Sequence, residues 1–206
     1  MSLKLLIASS NLHKVREIRS MLKGFKSLDI YSLLDFPQYQ PWEEVGSSFE
    51  EIVEKKALHA ATHCGLLTLA DDSGLVVPAL EGEPGIYSAR YAGPSATDAD
   101  NRKKLLTKMH FLKDDARDAY FVCALALASP EKVLKVVCGT CEGRILETPS
   151  GGNGFGYDPL FLKHDYGKTF AQMDEALKNR ISHRHKAFSK MIPSLQSQVD
   201  AYVAYH

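Results

Sequence analysis

Asp71 and Asp72 directly follow the apolar run LLTLA and precede Ser73 and Gly74. Two carboxylates at the end of a strand pattern are costly to bury unless a cation or a metal answers them. Hard carboxylate oxygens suit Mg²⁺, which commonly takes one or two of them together with substrate phosphates and water. Glu43 and Glu44, in the loop before the second helix, are the other acidic candidates, whereas Glu50, Glu51 and Glu54 read as support for their own helix. Three groups of cations and glycines stand against these acids. In SSNLHK, residues 9–14, a strand turns into a helix whose first N–H groups can hold an anion. Ser9, Ser10 and Asn11 also serve as plain helix caps. Lys14 falls in the first helical turn, where the macrodipole disfavours a cation unless an anion compensates it. The loop GGNGFGYDP, residues 151–159, allows close backbone approach to a ligand and carries Phe155 and Tyr157, whose rings either stack on a nucleobase or plug the core. Lys178, Arg180, His183, Arg184, His185 and Lys186 crowd the start of the last helix. Carboxylates, lysines and glycine-rich turns in this combination point to metal-assisted attack on a phosphate ester or anhydride.

The elements that must hold these groups follow from periodicity. LKLLIA reads as a strand, and Val15, Ile18, Met21 and Leu22 repeat at helical spacing before Gly24. LDIYSLL reads as extended and FPQYQPWEEVG as a loop. Ser47 and Ser48 stand before Glu50 and Glu51 in capping-box spacing, opening a helix that runs to Cys64-Gly65 with Ile52, Val53, Ala57, Ala60 and Ala61 inward. Of Lys55 and Lys56 in its middle, only one can share a face with a site. LLTLA is a buried strand that delivers the two aspartates at its end. A Gly- and Pro-rich loop, a helix from Thr97 to His110, a hairpin made of AYFVCALALAS and KVLKVVCGTCEG, the short strand LFL and the turns of DEALKN follow. A helix from about Ser182 to Tyr202 closes the chain and is expected to bury Ala187, Met191, Ile192, Leu195 and Val199. Helices alternating with strands early, and a hairpin later, predict an α/β fold with a mixed sheet.

Composition narrows the function classes. The 206 residues, 45% apolar, fit one sizeable core, and we expect a single domain over residues 1–206. Twenty-five basic residues balance 25 acidic ones, so no global basic field suggests a coat for nucleic acid or an anionic membrane. No run approaches the roughly 18 apolar residues of a membrane span, and the N-terminus lacks a signal-peptide pattern, so a cytoplasmic protein is expected. Cys138 and Cys141 form a lone C-x-x-C on an alternating strand, where residues three apart face opposite sides, so ordinary thiols are expected. His59 and His63 have a metal-ligand spacing but lack the Glu of the zinc-protease motif.

In order and spacing, SSNLHK, EEVGSSFEEIVEKKA, LADDSGLVVPALEGEPGIYSARYAG, GFGYDPLF and SHRHKA resemble the inosine triphosphate pyrophosphatase family, also called the Ham1 family. The resemblance spans Ser9 to Ala187. It implies an elongated mixed β-sheet flanked by helices, in two lobes with a central active-site cleft, and a homodimer. It implies Mg²⁺-dependent hydrolysis of the deaminated purine nucleotides ITP, dITP and XTP to the monophosphate and pyrophosphate. By the same resemblance Ser9, Ser10, Asn11, Leu12, His13 and Lys14 hold the phosphates, with no separate role for the His13 side chain, and Lys56 also reaches them. Glu44 and Asp72 serve the metal, and Asp72 accepts the proton of the attacking water. Ser73 contacts substrate, Phe155, Gly156, Tyr157 and Asp158 line the base site, and Lys178, His183 and Arg184 read the base edge. One departure is Ile52, where many relatives carry Asn.

Cationic donors suit the C6 oxygen of hypoxanthine and xanthine and leave the amino group of adenine poorly paired. Guanine shares that oxygen, so its rejection must come from something else, such as a tight wall around its 2-amino group. Two rival readings are a related hydrolase with a different base preference and a catalytically silent nucleotide sensor or RNA-binding module. The retention of Asp72, Glu44 and Lys14 together speaks against the latter. If the strand runs on through both aspartates they face opposite sides, which leaves Asp71 a structural role such as a bond to the loop backbone.

Overall fold

A computed structural model describes residues 2–42 and 45–205. Its elements run β1 (Leu3–Ala8), α1 (Leu12–Met21), β2 (Leu28–Ser32), α2 (Phe49–Cys64), β3 (Leu67–Val76), α3 (Asp98–Lys108), β4 (Asp118–Ala128), β5 (Val133–Ile145), β6 (Phe161–Lys163), β7 (Lys168–Thr169), α4 (Glu175–Ile181) and α5 (His183–Tyr205). The seven strands form one sheet in the order β2-β1-β3-β4-β5-β6-β7. β1 pairs in parallel with β2 and β3, through helical crossovers, while β6 pairs antiparallel with β5 and β7. The mixed sheet expected from the order of patterns is therefore the one observed.

By its contacts the chain divides into two compact units. The first comprises Met1–Asp72, Cys123–Gly139 and Arg184–His206, and the second Ser73–Val122 and Thr140–His183. In the first unit, alternation along β1 sends Leu5 and Ile7 into a core of large side chains with Ile18, Leu22, Leu125, Leu127, Met191 and Leu195. Leu6 and Ala8 join Ala57, Ala60 and Ala61 of α2 and Ala70, Ala124, Ala126 and Ala128. These small side chains let α2 lie close against the strands. Ser48 caps α2 by accepting the Glu51 N–H, and Glu51 in turn accepts from Ser47 and Lys55. Gly65, at φ 65°, ends it in the left-handed conformation that glycine tolerates best. The second unit has its own core, in which Phe121, Phe161 and Phe170 meet with ring centroids 4.6–5.9 Å apart, joined by Leu75, Leu105, Met109, Ile145, Tyr157 and Leu160.

Three expectations need correction. β2 stops at Ser32, where Asp35 accepts from the Ser32 amide and hydroxyl and turns the chain into a 3-10 segment instead of continuing the strand through Leu34. Ile192 is 39% exposed, because the buried stripe of α5 runs through Ala187, Met191, Leu195 and Val199 and position 192 lies about 100° around the helix from 191. The strand LLTLA does not end at the aspartates: β3 continues through Asp71 and Asp72 to Val76. The C-x-x-C splits as alternation requires. The Cys138 thiol donates to Glu50 at 3.0 Å in the first unit, Cys141 is buried in the core of the second, and neither is in a disulfide.

Candidate active site

The first unit explains how two carboxylates fit inside a strand. Asp71 is 0% exposed, and each of its oxygens meets a cation: Oδ1 lies 2.7 Å from Lys14 Nζ, and Oδ2 accepts from Arg184 Nε at 2.9 Å. The Cys123 thiol donates to the same Oδ2 at 3.1 Å. Arg184, also 0% exposed, turns its Nη1 to the buried carboxylate of Glu17 on α1. Lys14, Asp71, Arg184 and Glu17 thus alternate in sign through one dry network. Burial alone raises the Asp71 pKa, but the Arg184 and Lys14 charges hold it well below the usual carboxylate range. Burial works to lower that of Lys14, and the charges of Asp71 and Asp72 more than reverse this, keeping an ammonium there. The cation in the first turn of α1 is therefore answered by the protein's own carboxylates before any ligand arrives. The Asp71 carboxylate meets side chains and not the loop backbone.

Around this network the residues of SSNLHK act first as a cap. Asn11 Oδ1 accepts the His13 and Lys14 amides at 2.9 and 3.2 Å, and Ser9 Oγ accepts the Asn11 amide. Ser10, Leu12 and His13 are exposed beside them. Of the lysine pair on α2, Lys56 donates to the Asp71 carbonyl at 3.2 Å, while Lys55 binds Glu51 and lies over the Trp42 ring. Asp72, next along β3, is 8% exposed. Glu44 lies outside the described residues. Among the described residues no group of three or more His, Cys, Asp or Glu side chains forms a metal cage. His59 instead meets the Tyr39 hydroxyl at 3.1 Å and stacks on His63. A Mg²⁺ held by one or two carboxylates and completed by phosphate oxygens and water does not need such a cage, so the oxygen donor Asp72 fits that ion.

The second unit assembles the glycine loop. Asp158 and Lys178 are both buried and pair at 2.6 Å, and Asp158 Oδ2 also accepts the Phe155 amide at 3.0 Å. Lys178 Nζ lies 4.7 Å from the centre of the half-buried Phe155 ring. Tyr157 does not join Phe155: its ring is in the core and its hydroxyl donates to the Ser88 carbonyl at 3.0 Å. His183 stacks on Phe121 with centroids 4.7 Å apart, and Ser73 is half-buried on β3. Two of the three residues expected at the base edge, Lys178 and His183, thus belong to this unit, and Arg184 to the network of the first.

Gly154 makes this loop possible. Its φ is +75°, and a Cβ there would stand 2.0 Å from Asp158 Oδ2. Gly154→Ala must displace the carboxylate that holds both Lys178 and the Phe155 amide, so we expect a loss of about 2 kcal/mol or more. A thermal melt unchanged from wild type would refute this.

Sequence reasoning passed over Glu17 and Cys123. The signal for Glu17 was its place three residues after Lys14 and between Val15 and Ile18, on the buried stripe of α1. Cys123 carried none, since a buried thiol in an apolar strand is ordinary.

Residues 5–194 match the family model described as the Ham1 family. A protein of Protochlamydia amoebophila named dITP/XTP pyrophosphatase is 55% identical over 200 residues, covering 96% of this chain and 100% of the relative. One of the same name from Chlamydia abortus is 49% identical, covering 96% and 97%. Among solved structures, a HAM1 protein from Coxiella burnetii superposes with a TM-score of 0.85 at 38% identity, covering 95% of this chain and 99% of that one. A nucleoside-triphosphatase / dITP/XTP pyrophosphatase from Mycobacterium abscessus gives 0.75 at 40% identity, covering 94% and 100%.

Proposed function

Because the chain belongs to the Ham1 family, we propose that it hydrolyses the deaminated purine nucleoside triphosphates dITP, XTP and ITP to the monophosphate and pyrophosphate, with Mg²⁺ as cofactor. What carries this reading is the 55% identity, over nearly the whole chain, to a protein named dITP/XTP pyrophosphatase. The side chains supply a matching chemistry. Water attacks the α-phosphorus, the bond to the bridging α–β oxygen breaks, and pyrophosphate leaves. Asp72 accepts the proton of that water. Lys14 and Lys56 offer ammonium donors to the phosphate oxygens, and Asp71 keeps Lys14 charged and aimed. Bound through Asp72 and Glu44, Mg²⁺ would neutralise phosphate charge and so ease attack by the water. The Phe155 face and the Lys178 ammonium are assigned to the base, the latter to its C6 oxygen. His183 holds its place by stacking on Phe121. The buried Arg184 acts through Asp71 and not by direct reading of the base.

Purified protein with Mg²⁺ is expected to release pyrophosphate from dITP or XTP at least about 10²-fold faster than from dATP or dGTP. EDTA should abolish the release. Orthophosphate as the product, or dATP cleaved equally well, would sink the assignment. Nucleotide binding without turnover would favour a sensor instead.

A further inference from the structure

Gly156 stands between Phe155 and Tyr157, and both of its backbone polar groups are held by charged side chains of α3. Its amide donates to Asp98 Oδ2 at 2.6 Å, and its carbonyl accepts from Arg102 Nη1 at 2.6 Å. Asp98 and Arg102 are four residues apart, hence neighbours on one helical face, and they close on this peptide like a clamp. α3 is itself fixed: Thr97 and Asp100 form its capping box, and Asn101 is tied to Ala89 and Ala92. Gly156 has φ +58°, so the chain reverses sharply between the buried Tyr157 and the half-buried Phe155. Residues 155–158 are thus pinned at the Phe155 amide by Asp158, at both ends of the Gly156 residue by α3, at the Tyr157 hydroxyl by Ser88, and at Asp158 by Lys178. The Phe155 carbonyl accepts the Asp158 amide at 3.1 Å, so Asp98 adds a second hold on the peptide plane before Gly156, while Arg102 holds the plane after it, and the two together steady the tilt of the Phe155 ring.

We propose that Asp98 and Arg102 are positioning residues that set the plane of the Phe155 ring and thereby the selection among purine bases. The proposal rests on the assignment of Phe155 to the base. At C2 hypoxanthine carries a hydrogen, xanthine an oxygen acceptor and guanine an amino donor, so discrimination among them depends on how closely the base is held against the groups that face that edge. A displacement on the order of 1 Å is enough to weaken it substantially. A charged clamp on Gly156, one of the two left-handed glycines that flank Phe155, supplies that precision. Phosphate binding and the attack by water lie with other side chains, so loss of the clamp should act on binding and selectivity far more than on turnover.

The test uses the full chain with Arg102→Met, Arg102→Lys and Asp98→Ala. For Arg102→Met and Asp98→Ala we expect KM for dITP to rise roughly 10-fold with kcat within about twofold, and the preference for dITP over dGTP to narrow by a similar factor. Arg102→Lys keeps a donor and should recover most of both. Hydrogen exchange of the Gly156 amide, which needs no substrate, should speed by about tenfold or more in Asp98→Ala while the melting temperature stays near that of wild type. Unchanged exchange there, or unchanged KM and base preference in Arg102→Met, overturns the clamp. If the wild type itself releases no pyrophosphate from dITP or XTP, the proposed function fails, and exchange at Gly156 alone decides whether the clamp exists.

Discussion

Asp72→Asn is expected to slow pyrophosphate release from dITP by about 10²-fold or more while nucleotide affinity stays within a few-fold of wild type. The substitution keeps the size of the side chain and removes its capacity to take a proton. Lys14 retains its ion pair with Asp71 at 2.7 Å, so the cation assigned to the phosphates should keep its place. The two roles given to Asp72, proton acceptor and metal ligand, separate in a magnesium titration. If high Mg²⁺ restores the rate, the carboxylate served the ion alone. If the rate stays low at saturating Mg²⁺ and nucleotide, proton transfer is what was lost. A variant as fast as wild type would remove Asp72 from the mechanism.

Asp71→Asn should produce the largest loss of stability. The substitution removes the charge that lies between the largely buried Lys14 and the fully buried Arg184, and leaves Glu17 alone to face Arg184. Removing one partner of a buried ion pair typically costs about 3–5 kcal/mol, because the remaining charge stays desolvated. In a chain of this length that corresponds to a fall in melting temperature of roughly 10 °C. Replacing Asp71 and Arg184 together by apolar residues of similar volume should cost at least as much as Asp71→Asn alone, since Lys14 then loses Asp71 and Glu17 loses Arg184. A single variant melting within about 2 °C of wild type would show that the network contributes little.

Much of the fold could be read along the chain because it is written in local signals. The ends of α2 follow from Ser48 and Gly65, those of α3 from Thr97 and the residues that pack it, and the β4–β5 hairpin from two long extended runs around Pro130. The motifs that suggested the family lie within the matched residues 5–194. What was not legible depends on partners distant in sequence. Read along the sequence, β3 ends at Asp71 because no residue close in the chain answers the charge; the Arg184 guanidinium that does so comes from 113 residues away. Lys14 looked as though it required a bound anion for the same reason. The place of Tyr157 in the core, and the grip of Asp98 and Arg102 on Gly156, likewise depend on contacts that no spacing announces.

Cys138 sits in the motif that most resembles redox chemistry, yet its surroundings make it a poor nucleophile. Burial, and the Glu50 carboxylate to which it donates, push the thiol up to about 12. At neutral pH roughly one molecule in 10⁵ then carries the thiolate, the nucleophile that attacks alkylating agents, peroxides and disulfides. The carboxylate that receives the S–H bond acts as a chemical lock, holding the sulfur in its unreactive form through swings in oxidant level that would modify an ordinary surface cysteine.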